Sequence, residues 1–171
     1  MAALTHLAVG LAAKPAAPKI PLAVLILSAY TIDLVWGVFY LLGIEHMPEA
    51  GLETVSYWSH SLFMSVVWSL LAGAMVWLVS RNVRTSLFIG LLVFSHWIVD
   101  FISHPMTAAF PNATGLPLLF IEGSPLVGLG LWRTQLGVDV GEYGSLALGV
   151  VIYLGTFIYL RKQKNNLVAQ A

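Results

Sequence analysis

The 171-residue chain contains no cysteine and few charged residues. Without cysteine, neither a disulfide nor a thiolate ligand can form, so any bound metal must use nitrogen and oxygen atoms. Only 9% of the residues are Asp, Glu, Lys or Arg, whereas soluble domains typically carry about 25%. The formal net charge of zero gives no reason to expect a nucleic-acid partner.

The chain is unusually hydrophobic: 58% of the residues are hydrophobic and the mean hydropathy is +0.85. This composition predicts an all-α membrane protein in which residues 1–171 form a single integral domain, with the lipid bilayer as its main partner. A bilayer core about 30 Å thick needs roughly 20 apolar helical residues. We therefore predict about four transmembrane helices, over residues 20–42, 61–79, 86–102 and 145–160.

Two further apolar stretches do not fit a simple span. Residues 1–13 are too short to cross the bilayer comfortably, and we interpret them as an N-terminal partial insertion. Residues 116–132 are rich in Gly and Pro, which argues against a continuous helix and favours a re-entrant or interfacial segment.

The distribution of basic residues supports this topology. Most Lys and Arg residues fall on one side of the membrane if residues 116–132 do not cross it: Lys14, Lys19, Arg81, Arg84, Arg161, Lys162 and Lys164. By the positive-inside rule this side is cytoplasmic, which places the C-terminus in the cytoplasm and the chain in the cytoplasmic (inner) membrane as a multi-pass protein. The opposite side receives residues 43–59, which lack Lys and Arg and contain Glu45, Glu49 and Glu53.

Ionisable residues interrupt the predicted spans. His96 and Asp100 are four residues apart on one helix face, and His104 lies one turn further along the same stripe. An ionisable group in hydrocarbon costs about 2.5 to 3.5 kcal/mol even on lenient scales, so such residues usually mark a functional site. Asp33 lies near the middle of its span and must find a partner on another helix.

The predicted topology brings these groups to a similar depth. His6 lies about 12 Å from Lys14 and Asp33 about 20 Å from Lys19, at 1.5 Å per helical residue, while His60 and the His96 stripe approach that level from the other side. We therefore predict a metal site in the outer half of the membrane. Its candidate ligands are His6, Asp33, His60, His96, Asp100 and His104.

Imidazoles combined with carboxylates favour a divalent metal, with Zn²⁺ the first expectation and Mn²⁺ or Fe²⁺ as alternatives. Simpler interpretations exist for single residues. A lone intramembrane histidine is often a packing residue, and His104 could complement the helix dipole. Glu142 could be a charge at a helix N-terminus or an additional ligand, whereas His46 in the acidic loop should be solvated.

Several short motifs occur in an order that resembles a family of small bacterial membrane proteins described as membrane-bound metal-dependent hydrolases. These motifs are Thr5-His6-Leu7-Ala8-Val9-Gly10, Ser28-Ala29-Tyr30-Thr31-Ile32-Asp33, Tyr57-Trp58-Ser59-His60-Ser61-Leu62, Ser95-His96-Trp97-Ile98-Val99-Asp100 with His104-Pro105, and Gly128-Leu129-Gly130-Leu131-Trp132. The His-x-x-x-Asp helix is also remotely similar to one in zinc-dependent phospholipase C. This resemblance marks His6, Asp33, His60, His96 and Asp100 as metal ligands.

The chain departs from the broader group in three respects. Val55-Ser56 supplies no additional His-Arg, Met106 stands where an Asp often follows the His-Pro element, and a third motif is incomplete. Relatives often carry a Pro-Asp-x-Asp motif, of which this chain keeps only Asp33. The donor set would allow two ions, but fewer carboxylates favour a single metal.

The leading hypothesis is therefore a membrane-embedded metal-dependent hydrolase that acts on a lipid-linked or amphipathic ester, with a phosphoester as the first expectation. Asp33 or Asp100 would be the catalytic base. The first alternative is a transit protein for protons or a divalent cation, because His and Asp chains also mark ion pathways. The second is a non-catalytic membrane scaffold in which a metal only holds helices together.

Overall fold

The computed structural model describes residues 2–46 and 55–169, and the chain is mostly helical. Glu49 and Glu53 of the predicted acidic loop lie outside the described residues. The helices are α1 (Ala3–Ala12), α2 (Leu22–Ala29), α3 (Thr31–Leu41), α4 (Tyr57–His60), α5 (Leu62–Ser80), α6 (Val83–Ser103), α7 (Gln135–Asp139) and α8 (Ser145–Ala169). A π-helical turn, Val140–Gly144, joins α7 to α8.

Within the described part of the chain, three helices are long and apolar enough to cross a membrane. They are α5, α6 and the combined helix Gln135–Gln163, and they contain the runs predicted at residues 61–79, 86–102 and 145–160, apart from Ser61, since α5 begins at Leu62. Their outward side chains are apolar and exposed, such as Leu70 on α5, Leu91 on α6 and Val151 on α8. Exposed faces of this kind suit a lipid environment.

The fourth predicted run, residues 20–42, is not one straight helix. It is divided into α2 and α3, which meet at an angle of 59° around Tyr30. A sharp bend usually has a group that interrupts the backbone hydrogen bonds of the helix. Here His96 Nδ1 forms a hydrogen bond of 2.8 Å with the Ala29 carbonyl oxygen. The Tyr30 hydroxyl also donates to the Ala3 carbonyl at the start of α1. These long-range contacts lie at the bend, where the sequence has no Pro or Gly. The hydroxyls of Ser28 and Thr31 also donate to the carbonyls of Val24 and Leu27, one turn earlier, and such bonds often bend helices.

The N-terminal apolar stretch forms α1, whose ten residues extend about 15 Å, half the thickness of a bilayer core. This helix packs against α2, α6 and α8. Gly149 of α8 lies against α1 so closely that a Cβ at this position would be 2.7 Å from the Ala8 carbonyl oxygen. A glycine is therefore required where these two helices meet.

Residues 116–132 do not form a continuous helix. They contain a two-residue antiparallel ladder between β1 (Leu116–Pro117) and β2 (Leu126–Val127), followed by the 3₁₀ turn Leu131–Arg133. Backbone N–H groups of Leu129 and Gly130 donate to the carbonyls of Phe101 and His104. The segment thus satisfies carbonyl groups that the end of a helix leaves free, and it covers the end of α6 that carries Asp100.

The contact between α1 and α8 provides a first prediction. Gly149→Ala should destabilise the protein by about 1 to 3 kcal/mol, because the added methyl group has no space beside Ala8. Gly155→Ala on the same helix is the matched control, since a Cβ there meets open space. The measurement is the unfolding free energy in detergent micelles, and equal values for the two variants would refute the close contact.

Candidate metal centre

Helix α6 supplies two neighbouring side chains of the candidate site. His96 and Asp100 are one turn apart and both are buried, and His96 Nε2 lies 3.3 Å from Asp100 Oδ2. The other ring nitrogen of His96, Nδ1, lies 2.8 Å from the Ala29 carbonyl oxygen. Because a carbonyl only accepts hydrogen bonds, Nδ1 carries a proton and, in the neutral ring, the lone pair is on Nε2.

The bend between α2 and α3 positions Asp33. Because α3 begins at Thr31, Asp33 lies in its first turn, where the helix dipole favours a carboxylate. Asp33 Oδ1 is 3.4 Å from His60 Nε2 and 3.6 Å from His96 Nε2. The bend therefore both orients the carboxylate and provides a positive helix end near it.

His60 is the last residue of the short helix α4 and faces both carboxylates. Its Nε2 atom is 3.4 Å from Asp33 Oδ1 and 3.6 Å from Asp100 Oδ2. His60 and Asp33 retain 12% and 14% exposure, whereas Asp100 retains 2%. The Asp33 and His60 side of the cluster is therefore its more accessible edge.

His6 completes the cluster from α1. Its Nε2 atom is 3.3 Å from Asp100 Oδ1, and its ring stacks on that of His96 with centroids 3.7 Å apart. Five predicted ligands thus come together from four helices that are distant in sequence. Their atoms form two sets of mutually close donors, His6, His96 and Asp100 in one and Asp33, His60 and His96 in the other.

His104, the sixth predicted ligand, belongs to neither of these two sets. Its Nδ1 atom lies 3.1 Å from the Asp100 carbonyl oxygen and 3.4 Å from Ser103 Oγ, at the C-terminal end of α6. This placement matches the interpretation of His104 as a side chain that interacts with the helix end.

The nitrogen and oxygen atoms of the cluster are farther apart than strongly hydrogen-bonded partners. Among the described residues, both ring nitrogens of His6, Nε2 of His96 and Oδ1 of Asp100 are buried without a hydrogen bond. Charge-assisted N–H···O bonds are typically about 2.7 to 2.9 Å long, but the five nitrogen–oxygen distances in the cluster are 3.3 to 3.6 Å. Buried nitrogen and oxygen atoms that converge in this way could hold a metal ion.

Two glutamates stabilise the short helices that carry His6 and His60. The sequence left the role of Glu142 open and indicated none for Glu45. Glu142, from the π-helical turn, accepts a hydrogen bond from the Thr5 backbone N–H at 2.9 Å. Glu142 is therefore a charge at a helix N-terminus, which is one of the two roles predicted for it. The helix that it caps is α1, whereas the prediction referred to the helix that follows Glu142 in the sequence. Glu45 is buried and accepts hydrogen bonds from the N–H groups of Trp58 and Ser59 in α4.

The sequence contains little that would distinguish Glu45 from its neighbours. It lies in an acidic loop next to His46, which is exposed as predicted. The only available signal is that no Lys or Arg occurs in the loop to pair with an acid.

Comparisons with known proteins add no relative from which a function could be transferred. No protein-family model, no curated protein and no solved structure matches this chain. The chemistry of the cluster is therefore the basis for a functional proposal.

The contact of Glu142 with α1 leads to a second prediction. Glu142→Ala should lower the free energy of unfolding by about 0.5 to 2 kcal/mol, the usual cost of losing a helix cap. Glu122→Ala removes an exposed glutamate and is the control. The measurement is a denaturant titration in micelles, and an equal effect of the two substitutions would show that Glu142 does not stabilise α1.

Proposed function

We propose that this protein is a membrane-embedded metal-dependent hydrolase, in line with its resemblance to membrane-bound metal-dependent hydrolases. Its substrate would be a lipid-linked or amphipathic ester, with a phosphoester as the first expectation. The donor set of imidazoles and carboxylates favours Zn²⁺, with Mn²⁺ or Fe²⁺ as alternatives.

The orientation of His96 is the observation that carries this proposal. Its Nδ1 proton is directed to the Ala29 carbonyl, so the Nε2 lone pair of the neutral ring faces Asp33 Oδ1 and Asp100 Oδ2 at 3.6 and 3.3 Å. A lone pair and two carboxylate oxygens repel one another unless a cation lies between them. Ligand atoms bonded at about 2.0 to 2.2 Å to one tetrahedral Zn²⁺ would be about 3.3 to 3.6 Å apart, the range of the five nitrogen–oxygen distances in this cluster.

A single ion is the simplest occupant. Both sets of donors include His96, and its Nε2 atom has one lone pair to offer. Two ions would have to compete for it. The loss of the Pro-Asp-x-Asp motif, which leaves only Asp33 in this region, favours one ion for the same reason.

The two aspartates would then have different roles. A divalent cation polarises an ester oxygen and helps to generate a nucleophile from water at neutral pH. Asp100 is fully enclosed by His6, His60 and His96, which suits a ligand. Asp33 lies at the accessible edge, so its carboxylate can take a proton from an attacking water as general base.

The membrane arrangement supports a lipid-like substrate. We propose four spans, with the bent pair α2 and α3 counted as one, and residues 116–132 as a re-entrant or interfacial segment. The basic residues listed in the sequence would then lie in the cytoplasm with the C-terminus, in a cytoplasmic membrane. The cluster would lie in the outer half of the bilayer, where its accessible Asp33 and His60 edge could receive the ester of a lipid-linked substrate.

Metal content provides the third prediction. Protein purified without added metal should contain about one equivalent of a divalent transition metal. His96→Ala and Asp100→Asn should each lose most of it, because the first removes a ligand atom and the second removes a negative charge at the centre of the cluster. His46→Ala is the control, since His46 is an exposed histidine outside the cluster. Elemental analysis is the measurement, and equal metal content in all four proteins would contradict the proposed site.

Hydrolysis provides the fourth prediction. In micelles, the wild type should cleave a generic phosphodiester, and Asp33→Asn should lower kcat by about 10² to 10⁴, the range for loss of a general base. Metal content should fall less in Asp33→Asn than in Asp100→Asn.

Two outcomes would support other functions. Metal uptake into sealed vesicles without hydrolysis would indicate a transit protein. Metal that is tightly held, in a protein that cleaves no ester and loses stability in His96→Ala, would indicate a scaffold.

A further inference from the structure

We propose that Glu45 is a positioning residue that acts on His60 through the Ser59 hydroxyl. In this arrangement Glu45 and Ser59 hold the His60 ring in the form whose Nε2 lone pair faces Asp33 and Asp100. This inference rests on the proposed metal site, for which His60 is a ligand.

The three side chains form a continuous hydrogen-bonded row. Glu45 Oε2 lies 2.5 Å from Ser59 Oγ, and Ser59 Oγ lies 2.7 Å from His60 Nδ1. Glu45 retains only 5% exposure and Ser59 none. Water therefore has little access to this row, so its members must satisfy one another.

The donor and acceptor of each hydrogen bond follow from which groups carry a proton. A carboxylate has only acceptor atoms, so the single hydroxyl proton of Ser59 goes to Glu45. At the contact with His60, Ser59 Oγ can then only accept, and Nδ1 must donate. In the neutral ring the lone pair is on Nε2, which lies 3.4 Å from Asp33 Oδ1 and 3.6 Å from Asp100 Oδ2.

The same carboxylate is fixed in place by the backbone of α4. Glu45 Oε1 accepts from the N–H groups of Trp58 and Ser59 at 2.8 and 3.0 Å. His60 therefore has an orienting partner equivalent to the Ala29 carbonyl that orients His96. Outer partners of this kind fix the tautomer of a metal-binding histidine, and their loss typically costs about 10- to 100-fold in metal affinity.

The substitution Glu45→Gln should reverse the direction of both hydrogen bonds in the row, while the two hydrogen bonds to the backbone of α4 remain. The glutamine oxygen must remain on the two backbone N–H groups, so its NH₂ group faces Ser59. The Ser59 hydroxyl then has to donate to His60 Nδ1, which moves the ring proton to Nε2. Ser59→Ala removes the row altogether, and Glu122→Gln, at an exposed position, is the matched control.

Two measurements on the full chain in micelles test this proposal. One is Zn²⁺ affinity by chelator competition, and the other is the ¹⁵N spectrum of the histidine side chains in metal-free protein, with His60 assigned by its loss in His60→Ala. We expect an Nδ1–H tautomer for His60 in the wild type and in Glu122→Gln, and an Nε2–H tautomer in Glu45→Gln. Zn²⁺ affinity should fall about 10- to 100-fold in Glu45→Gln and Ser59→Ala.

An unchanged His60 tautomer in Glu45→Gln, with wild-type Zn²⁺ affinity, would overturn the proposal. So would a loss of affinity that occurs only together with a lower melting temperature of the metal-free variants, because Glu45 would then have a merely structural role. If the wild type binds no metal, the proposed function fails separately, and the tautomer measurement still decides the role of Glu45.

Discussion

The hydrogen bond between His96 and the Ala29 carbonyl connects the fold to the candidate site. It joins α6 to the point where α2 and α3 diverge by 59°. The bond gives the Ala29 carbonyl, which lies at the bend, a hydrogen-bond partner. Such a partner is important in an apolar environment, where no water can donate to the carbonyl. The bond also directs His96 Nε2 toward both aspartates. The same hydrogen bond therefore contributes both to the bend and to the cluster.

A second common feature is that a carboxylate from a distant segment supports each short helix that carries a histidine. Glu142 contacts the first turn of α1, which carries His6, and Glu45 contacts α4, which carries His60. Helices this short gain little stability from their own hydrogen bonds. Acceptors placed at their N-termini satisfy free N–H groups and complement the helix dipole, so the positions of His6 and His60 depend on residues far away in the sequence.

Hydrophobic patterning was sufficient to predict the long helices, because α5, α6 and α8 are apolar along most of their length, both where they pack against other helices and where they are exposed. It also selected His6, Asp33, His60, His96 and Asp100, since each interrupts or borders an apolar run, but the same criterion selected His104, which belongs to neither set of close donors. The bend at Tyr30 was not predicted, because no Pro or Gly marks it and one of its contacts is with His96, 67 residues away along the chain. Glu45 was missed for a related reason: its importance comes from tertiary contacts with α4, which leave no local pattern.

Charge balance explains why such a cluster can exist between apolar helices. Two ionised aspartates in a low-dielectric site would repel each other and lose their hydration. Three neutral imidazoles contribute no charge, so a divalent cation bound by the proposed site would bring the total to zero. Without the ion, neutrality would require protons on two of the histidines, yet the Ala29 carbonyl and the Ser59 hydroxyl already bind the protonated Nδ1 atoms of His96 and His60. Even if His6 carried one additional proton, at least one of these two Nε2 atoms would have to carry the other, and the 3.3 to 3.6 Å separations are longer than strong charge-assisted hydrogen bonds. The charge balance is therefore compatible with the divalent cation that the proposed site would hold.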